Sequence, residues 1–266
     1  MNKTEKEMLG ILINLRKSGA IAVKAEFEAE GTRTEELLRL IELSRRANIG
    51  IGLKIGGCEA VRDLIEAKQF GVDYVIAPMV ETPYAIEKYI EAKNKIFNRD
   101  EREDIDFLVN IETQTGFDNS DEMIKIASSK NGINGVVFGR VDFVGSQILP
   151  LDSVNEKNVT DSCIKIANKC KENNLDFVVG GGVSDISIEP LTLIKENHLT
   201  RFETRKIIFK ADALDKKEIK EALLNAVHFE LLWLLNKRKF YSLITGEDDK
   251  RLKMLNDRWR LLKNQD

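Results

Sequence analysis

The sequence predicts an α/β fold, a (β/α)8 TIM barrel with a helical C-terminal extension. Three observations lead there. Short apolar runs alternate with amphipathic helical stretches along most of the chain, the pattern of βα units around a parallel sheet. The length of 266 residues suits the about 250 residues of a closed barrel. The apolar runs finish in glycines and charged residues, which share one end of the sheet if the strands are parallel. Seven strand candidates can be counted and an eighth cannot be placed. The competing architecture is an open doubly wound sheet. No GxGxxG opens a helix after the first strand, so nothing supports a dinucleotide-binding version of it. The barrel is assigned to residues 1–212 and the extension, read as an oligomerisation element, to 213–266.

Residues 4–17 form the first predicted helix. Thr4 and Glu7 fit a capping box, and Met8, Ile11, Leu12 and Leu15 recur at helical spacing. GAIAVKAEFEAEG reads as a strand ending among Glu26, Glu28 and Glu30. Thr32 and Glu35 suggest a second capping box for the helix carrying Leu37, Leu40 and Ile41. NIGIGLKIGG is a strand ending at Lys54 and two glycines, and Gly71 stops the helix that follows. VDYVIAPMVE is apolar nearly throughout, as a strand covered on both faces should be. Thr82 caps the next helix with Pro83 at its first position. NRDEREDI reads as a charged connection. DFLVNIE and GVVFGRVD are two further strands, separated by a helix and ending near Glu112 and Asp142. Residues 144–156 read as a loop. Val159, Cys163, Ile166 and Cys170 mark a helix, LDFVVGGGV a strand, and Pro190 the start of a short helix. RFETRKIIFKA reads as one last strand, and everything after Asp215 as helix, including FELLWLL at 229–235, read as core or subunit interface.

Bulk composition excludes several classes. A net charge of −3 lacks the basic excess of a nucleic-acid binder. No run approaches the roughly 20 apolar residues of a membrane span. The polar start MNKTEKEMLG is not a signal peptide. A cytoplasmic protein is expected. Three cysteines and two distant histidines argue against a disulfide framework and against a histidine-based metal cluster. Acid–base work then falls to carboxylates, lysine, tyrosine or water.

The strand ends gather Glu26 and Glu28, Lys54, Glu81, Glu112, Arg140 with Asp142, and Gly180 to Gly182. On a barrel this is the face where active sites form. Glu112 and Asp142 follow neighbouring apolar strands, and two carboxylates plus waters suit Mg²⁺. Lys54 and Arg140 are candidates to bind a substrate carboxylate, with Gly181 and Gly182 letting the backbone approach an anion. Glu28, with Lys54, is the candidate for acid–base chemistry, Glu26 an alternative. Glu30 and Glu81 read more simply as caps or solvated charges, and Cys58 as a small buried residue. Arg205 and Lys206 lie early in the last strand and are expected to point away from this face.

At these residues the chain resembles the HpcH/HpaI aldolase and citrate lyase family of the phosphoenolpyruvate/pyruvate-barrel superfamily. The likeness runs from Ala20 to Gly182, carried by APMVE (77–81), VNIET (109–113) and GVVFGRVDF (135–143). It implies a (β/α)8 barrel, Mg²⁺ or Mn²⁺ held by Glu112 and Asp142, and pyruvate, oxaloacetate or acyl-CoA chemistry. It also implies a homo-oligomer, a trimer or hexamer that exchanges a C-terminal helix. Three positions depart from the family pattern. Lys54 stands where the family carries its substrate arginine, Glu28-Ala29-Glu30 where pyruvate aldolases carry a catalytic histidine, and Arg140 where a Gly-Pro-x-Asp motif has proline. The expected function is a divalent-metal-dependent carbon–carbon lyase acting on a small anionic 2-keto acid or related carboxylate. The alternatives are a phospho-substrate lyase or hydrolase of the same superfamily, and a barrel that has lost its base and serves as a binding or structural subunit.

Overall fold

Strands that are apolar on both faces must be covered on both, and a closed barrel wrapped by helices does this. The computed structural model describes residues 1–263, so the last three residues of the extension lie outside it. β1 (Ala20–Glu26), β2 (Gly50–Lys54), β3 (Tyr74–Ala77), β4 (Asp106–Ile111), β5 (Gly135–Gly139), β6 (Asp176–Gly180), β7 (Arg201–Glu203) and β8 (Ile207–Lys210) close in chain order. Around them run α1 (Lys3–Lys17), α2 (Thr34–Ala47), α3 (Val61–Phe70), α4 (Pro83–Ile96), α5 (Arg99–Glu103), α6 (Gln114–Asp118) and α7 (Ser120–Ala127). Then follow α8 (Arg140–Ser146), α9 (Lys157–Glu172), α10 (Ile188–His198) and the long α11 (Ile219–Lys263). No helix among the described residues is long and apolar enough to cross a membrane.

Caps sit close to where the sequence puts them. Thr82 caps α4 as expected. Helix α1 starts earlier than the spacing suggests, because Asn2 and Glu5 form the capping box in place of Thr4 and Glu7. At α2, Thr32 is held by a backbone bond to Glu26; Arg33 takes the cap position and its N–H faces Glu36. The charged connection after α4 contains the one-turn α5, and the expected loop at 144–156 includes the end of α8 and a 3-10 turn at Leu151–Asn155.

The eighth strand is the second half of RFETRKIIFK. This run is a hairpin: β7 is parallel to β6, and β8 turns back antiparallel to both β7 and β1. Thr204 makes the turn, its N–H donating to Ile207 O at 2.9 Å and its Oγ1 accepting from Ile207 N at 3.1 Å. Phe202 and Phe209 stack at 5.1 Å across the pair. Seven strands are therefore parallel and one is inverted.

Inward residues alternate along each strand and stack in layers. At the N-terminal end Arg201 bridges Asp106 at 2.6 Å and Asp176 at 2.7 Å, with Tyr74 beneath its guanidinium. The middle layer is Ile76, Leu108, Val137 and Val178, an apolar plug separate from the larger core between barrel and helices. Towards the C-terminal ends of the strands a polar layer follows, made by Lys24 and Glu26 of β1, Lys54 of β2, Asn110 of β4 and Glu203 of β7. That layer floors the site.

Candidate active site

A cavity of about 250 Å³ opens at the C-terminal end of the barrel. Lys24 and Glu26 of β1, Lys54 of β2, Asn110 of β4 and Glu203 of β7 form its inner part, with Glu112 just past β4. Glu28, Asp142, Gly180 to Gly182 and Arg205 complete the rim. Five carboxylates thus face three cations.

Glu112 is the most tightly defined group. It is 2% exposed. Its Oε1 accepts the Met79 N–H at 2.9 Å, and its Oε2 accepts Asn110 Nδ2 at 2.6 Å and faces Lys54 Nζ at 3.6 Å. Met79 sits at φ +51°, a left-handed backbone held in place by this contact. Burial pushes the Glu112 carboxyl above its ordinary range; Lys54 and the two hydrogen bonds pull it down, and nearby Asp142 adds to the rise. Gly139 is required here. A Cβ on it would lie 2.5 Å from Glu112 Oε2 and 2.7 Å from Glu112 Cβ.

Asp142 is exposed, in the first turn of α8. Lys54 Nζ lies 3.4 Å from Glu28 Oε2, so one ammonium joins the candidate base to the candidate metal ligand. Lys24 repeats the arrangement one strand over, 2.5 Å from Glu203 Oε1 and 3.4 Å from Glu26 Oε1. Burial opposes charge on Lys24, but the two carboxylates outweigh it and raise its pKa. The second oxygens of Glu26 and Glu203 and the Asn110 Oδ1 are buried and accept no hydrogen bond among the described residues. They leave the cavity rich in oxygen acceptors.

Two sequence expectations change. Arg140 is 1% exposed and turned away from the cavity. Its guanidinium donates to Gly180 O (3.3 Å), Val154 O (3.4 Å), Asn155 Oδ1 (2.9 Å) and Ser187 Oγ (3.4 Å), tying the loop after β6 to the segment after α8. Arg205 instead reaches the rim, because the hairpin turn lies at this end of the barrel; it faces Glu26 at 3.7 Å and Glu30 at 3.5 Å. Lys206, also expected to point away, is buried against Glu30. Gly181 and Gly182 line the cavity as expected, at φ +81° and +64°. A Cβ on Gly181 would meet Val141 N at 2.6 Å.

The donor set can be tested against a divalent cation. Glu112 and Asp142 offer hard carboxylate oxygens on one cavity wall, a pair suited to an ion that keeps several waters; no group of three or more His, Cys, Asp or Glu placed to hold a metal is found among the described residues. The excess of carboxylates over cations favours such an ion, and the Lys54 ammonium beside Glu112 is the one group that competes with it. The residues fit Mg²⁺ or Mn²⁺.

A family profile described as HpcH/HpaI aldolase/citrate lyase matches residues 14–182. The chain belongs to this family. Its members are aldolase- and citrate lyase-type enzymes. Solved structures agree on the fold. An HpcH/HpaI aldolase from Desulfitobacterium hafniense DCB-2 superposes with a TM-score of 0.60 at 11% identity, over 78% of this chain and 84% of that one. A family protein from Burkholderia cenocepacia J2315 gives 0.61 at 11% identity, covering 88% of both chains. The citrate synthase SbnG gives 0.59 at 18% identity, over 74% of this chain and 81% of that one. No curated protein matches the chain.

Proposed function

We propose that the chain is a divalent-metal-assisted carbon–carbon lyase acting on a small 2-keto acid or related carboxylate. The observation that carries this is the meeting of Glu112, Asp142, Lys54 and Glu28 at one cavity on the C-terminal face of a barrel of this family. Glu112 and Asp142 hold Mg²⁺ or Mn²⁺. Such an ion, when bound, draws electron density from a 2-keto carbonyl and eases cleavage or formation of the neighbouring carbon–carbon bond.

Lys54 takes the substrate carboxylate. Its ammonium already lies between two carboxylates, and an arriving anion joins them as its counter-charge. As a lysine it offers a point charge where an arginine would offer a planar fork, so it neutralises the substrate without fixing its plane. The backbone at Gly181 and Gly182 lies open to the other end of the anion. Glu28, on the loop after β1 and partly exposed, takes the proton from a substrate hydroxyl in cleavage and returns it in condensation. Asn110 donates to Glu112 and fixes its orientation.

Turnover of a panel of 2-oxo acids, with and without Mg²⁺ or Mn²⁺, tests the reading. Glu112→Ala and Asp142→Ala should each lower metal-dependent turnover at least a hundredfold. Unchanged activity in both variants removes the metal assignment.

A further inference from the structure

We infer that Glu26, Glu203 and Arg205 form a subsite that selects the tail of the substrate, and that the tail it fits is uncharged and carries hydroxyl groups. The subsite belongs to the cavity of the proposed lyase and rests on that reading. Charge separates the two sides of this cavity. On the β1–β8 side three cations, Lys24, Arg205 and Lys206, face three carboxylates, Glu26, Glu30 and Glu203. These ion pairs close among themselves, so this side carries no net charge. The remaining charges that line the cavity are Glu28, Glu112 and Asp142 against Lys54 alone. A metal ion and the carboxylate of a 2-keto acid belong with that second set, which leaves the neutral side facing the rest of the substrate.

The neutral side is paired in charge but not in hydrogen bonds. Glu203 and Glu26 each turn one oxygen to Lys24, at 2.5 and 3.4 Å. Their second oxygens are buried and accept no hydrogen bond among the described residues, and the same holds for Asn110 Oδ1. Such orphaned acceptors are costly to bury. The last torsion of a glutamate is broad, so a small turn brings the second oxygen to a ligand in the cavity. Arg205 is half-exposed at the rim, 3.7 Å from Glu26 Oε2 and 3.5 Å from Glu30 Oε1, and its guanidinium donates no hydrogen bond among the described residues. The backbone holds these groups in place. Glu203 lies in β7 against Gly180, where a Cβ would come 3.1 Å from Glu203 Oε1, and Thr204 fixes the turn that carries Arg205. Glu203 and Arg205 also lie beyond residues 14–182, the stretch that matches the family.

Unused donors beside unused acceptors select one kind of group. A hydroxyl both donates and accepts. It satisfies a carboxylate oxygen and the Arg205 fork together, and it adds no charge to a balanced wall. A second carboxylate or a phosphate would bond Arg205, but it would leave the Glu26 and Glu203 oxygens without donors and lie beside them as a like charge. An ammonium would serve those oxygens and face Lys24 and Arg205. An apolar tail would leave donors and acceptors alike unpaired. The substrate is therefore a 2-keto acid whose far end is a short, neutral polyol. A site built to hydrogen-bond a hydroxyl discriminates strongly against the analogue that lacks it.

The test uses the full chain and two readouts. In the condensation direction, pyruvate and Mg²⁺ are offered with glyceraldehyde, with propionaldehyde, which lacks the hydroxyls, or with succinic semialdehyde, which ends in a carboxylate. The methyl carbon of pyruvate loses a proton and bonds to the aldehyde carbon, and the aldehyde oxygen gains a proton and ends as a hydroxyl. The kcat/KM for glyceraldehyde should exceed each of the others by about tenfold or more. Arg205→Leu should reduce both margins to about threefold or less, and Arg205→Lys, which keeps the charge without the fork, should fall between. Each margin is a ratio within one variant, so a partly unfolded sample does not alter it. A preference for propionaldehyde or succinic semialdehyde, or margins that Arg205→Leu leaves intact, overturns the subsite while the lyase reading stands. The second readout is isothermal calorimetry, with Mg²⁺ present, on carboxylates of equal chain length: gluconate, hexanoate and adipate. Gluconate should bind about tenfold tighter than either of the others or better, and Arg205→Leu should remove the difference. If no aldehyde reacts while gluconate keeps its margin, the lyase reading fails and the subsite stands. Equal binding of all three, or tighter binding of hexanoate or adipate, overturns the subsite with or without turnover.

Discussion

Replacing Lys54 by methionine should destabilise the fold, and by more as pH rises. Lys54 Nζ lies 3.6 Å from Glu112 Oε2, and the side chains are 10% and 2% exposed. At an effective dielectric near 20 that separation corresponds to about 5 kcal/mol of attraction. Removing the lysine also returns the cost of burying its own charge, and Met79 N–H and Asn110 remain on Glu112, so a net loss of about 3 kcal/mol is expected at neutral pH. Glu28, the other partner, is partly exposed and solvates instead. The pH dependence has a definite sign. Burial already holds the Glu112 carboxyl above its ordinary 4.5, with Lys54 opposing the rise. A carboxyl with a raised folded pKa stabilises the fold at low pH and loses that contribution as pH climbs from its unfolded value through its folded one. Without Lys54 the folded value moves higher still, so the same loss continues over a wider window. Urea unfolding in a chelator at pH 5 and pH 7.5 should show the larger deficit at pH 7.5, and adding Glu112→Gln should abolish the difference between the two. An equal deficit at both pH values, or one below about 1 kcal/mol, refutes the claim that Lys54 stabilises a buried Glu112 charge.

Other expectations follow from the same contacts. Gly139→Ala puts a methyl group 2.5 Å from Glu112 Oε2; displacing that carboxylate should cut turnover about a hundredfold, with a stability loss of only about 1–3 kcal/mol by urea unfolding. Arg140→Met removes bonds to two carbonyls, Asn155 and Ser187 and should cost about 2–4 kcal/mol. Because Arg140 is turned away from the cavity, its loss should raise KM through the loosened Gly180–Gly182 loop and leave the Mg²⁺ affinity, read by isothermal calorimetry, within about threefold.

The fold and part of the site are legible in the sequence for identifiable reasons. Strands covered on both faces advertise themselves as unbroken apolar runs, and a carboxylate directly after such a run stands out, which is why Glu112 and Asp142 could be named. Lys54 is visible in the same way. Asn110, Lys24 and Glu203 are not. Each is a polar residue inside a strand, and its alternation reads like that of an ordinary strand with one wet face; only closure of the barrel turns that face inward. The one available signal was spacing: Asn110 is two residues before Glu112 and Lys24 two before Glu26, hence on the same side of an extended chain. Arg140 was misplaced by the converse error. On a strand it would share a face with Asp142, but β5 stops at Gly139 and α8 begins at Arg140. Two residues on a helix are about 200° apart, so Asp142 faces the cavity and Arg140 the loop behind it. The eighth strand stayed hidden because no Gly, Pro or Asn marks the turn between Glu203 and Ile207; the Thr204 side chain makes it instead.

That turn bears on the chemistry as well as on the count of strands. Had β8 been parallel, a crossover helix would separate it from β7, and the residues after Glu203 would leave the mouth at once. Inverting β8 instead folds Thr204, Arg205 and Lys206 back over the rim beside β1. There Arg205 meets Glu26 and Glu30, and Lys206 meets Glu30, while Lys24 holds Glu203 from below. The acids of the β1 side are thereby paired within the protein, whereas Asp142 stands exposed at the rim and Glu112 is shared with a single ammonium. Among the described residues Asp142 is therefore the cavity carboxylate that faces no cation of the protein, while Glu112 shares Lys54 with Glu28. The inverted strand thus places Arg205 and Lys206 against the acids of the β1 wall, and on the proposed reading it leaves the β4–β5 side to the metal without contributing a ligand of its own.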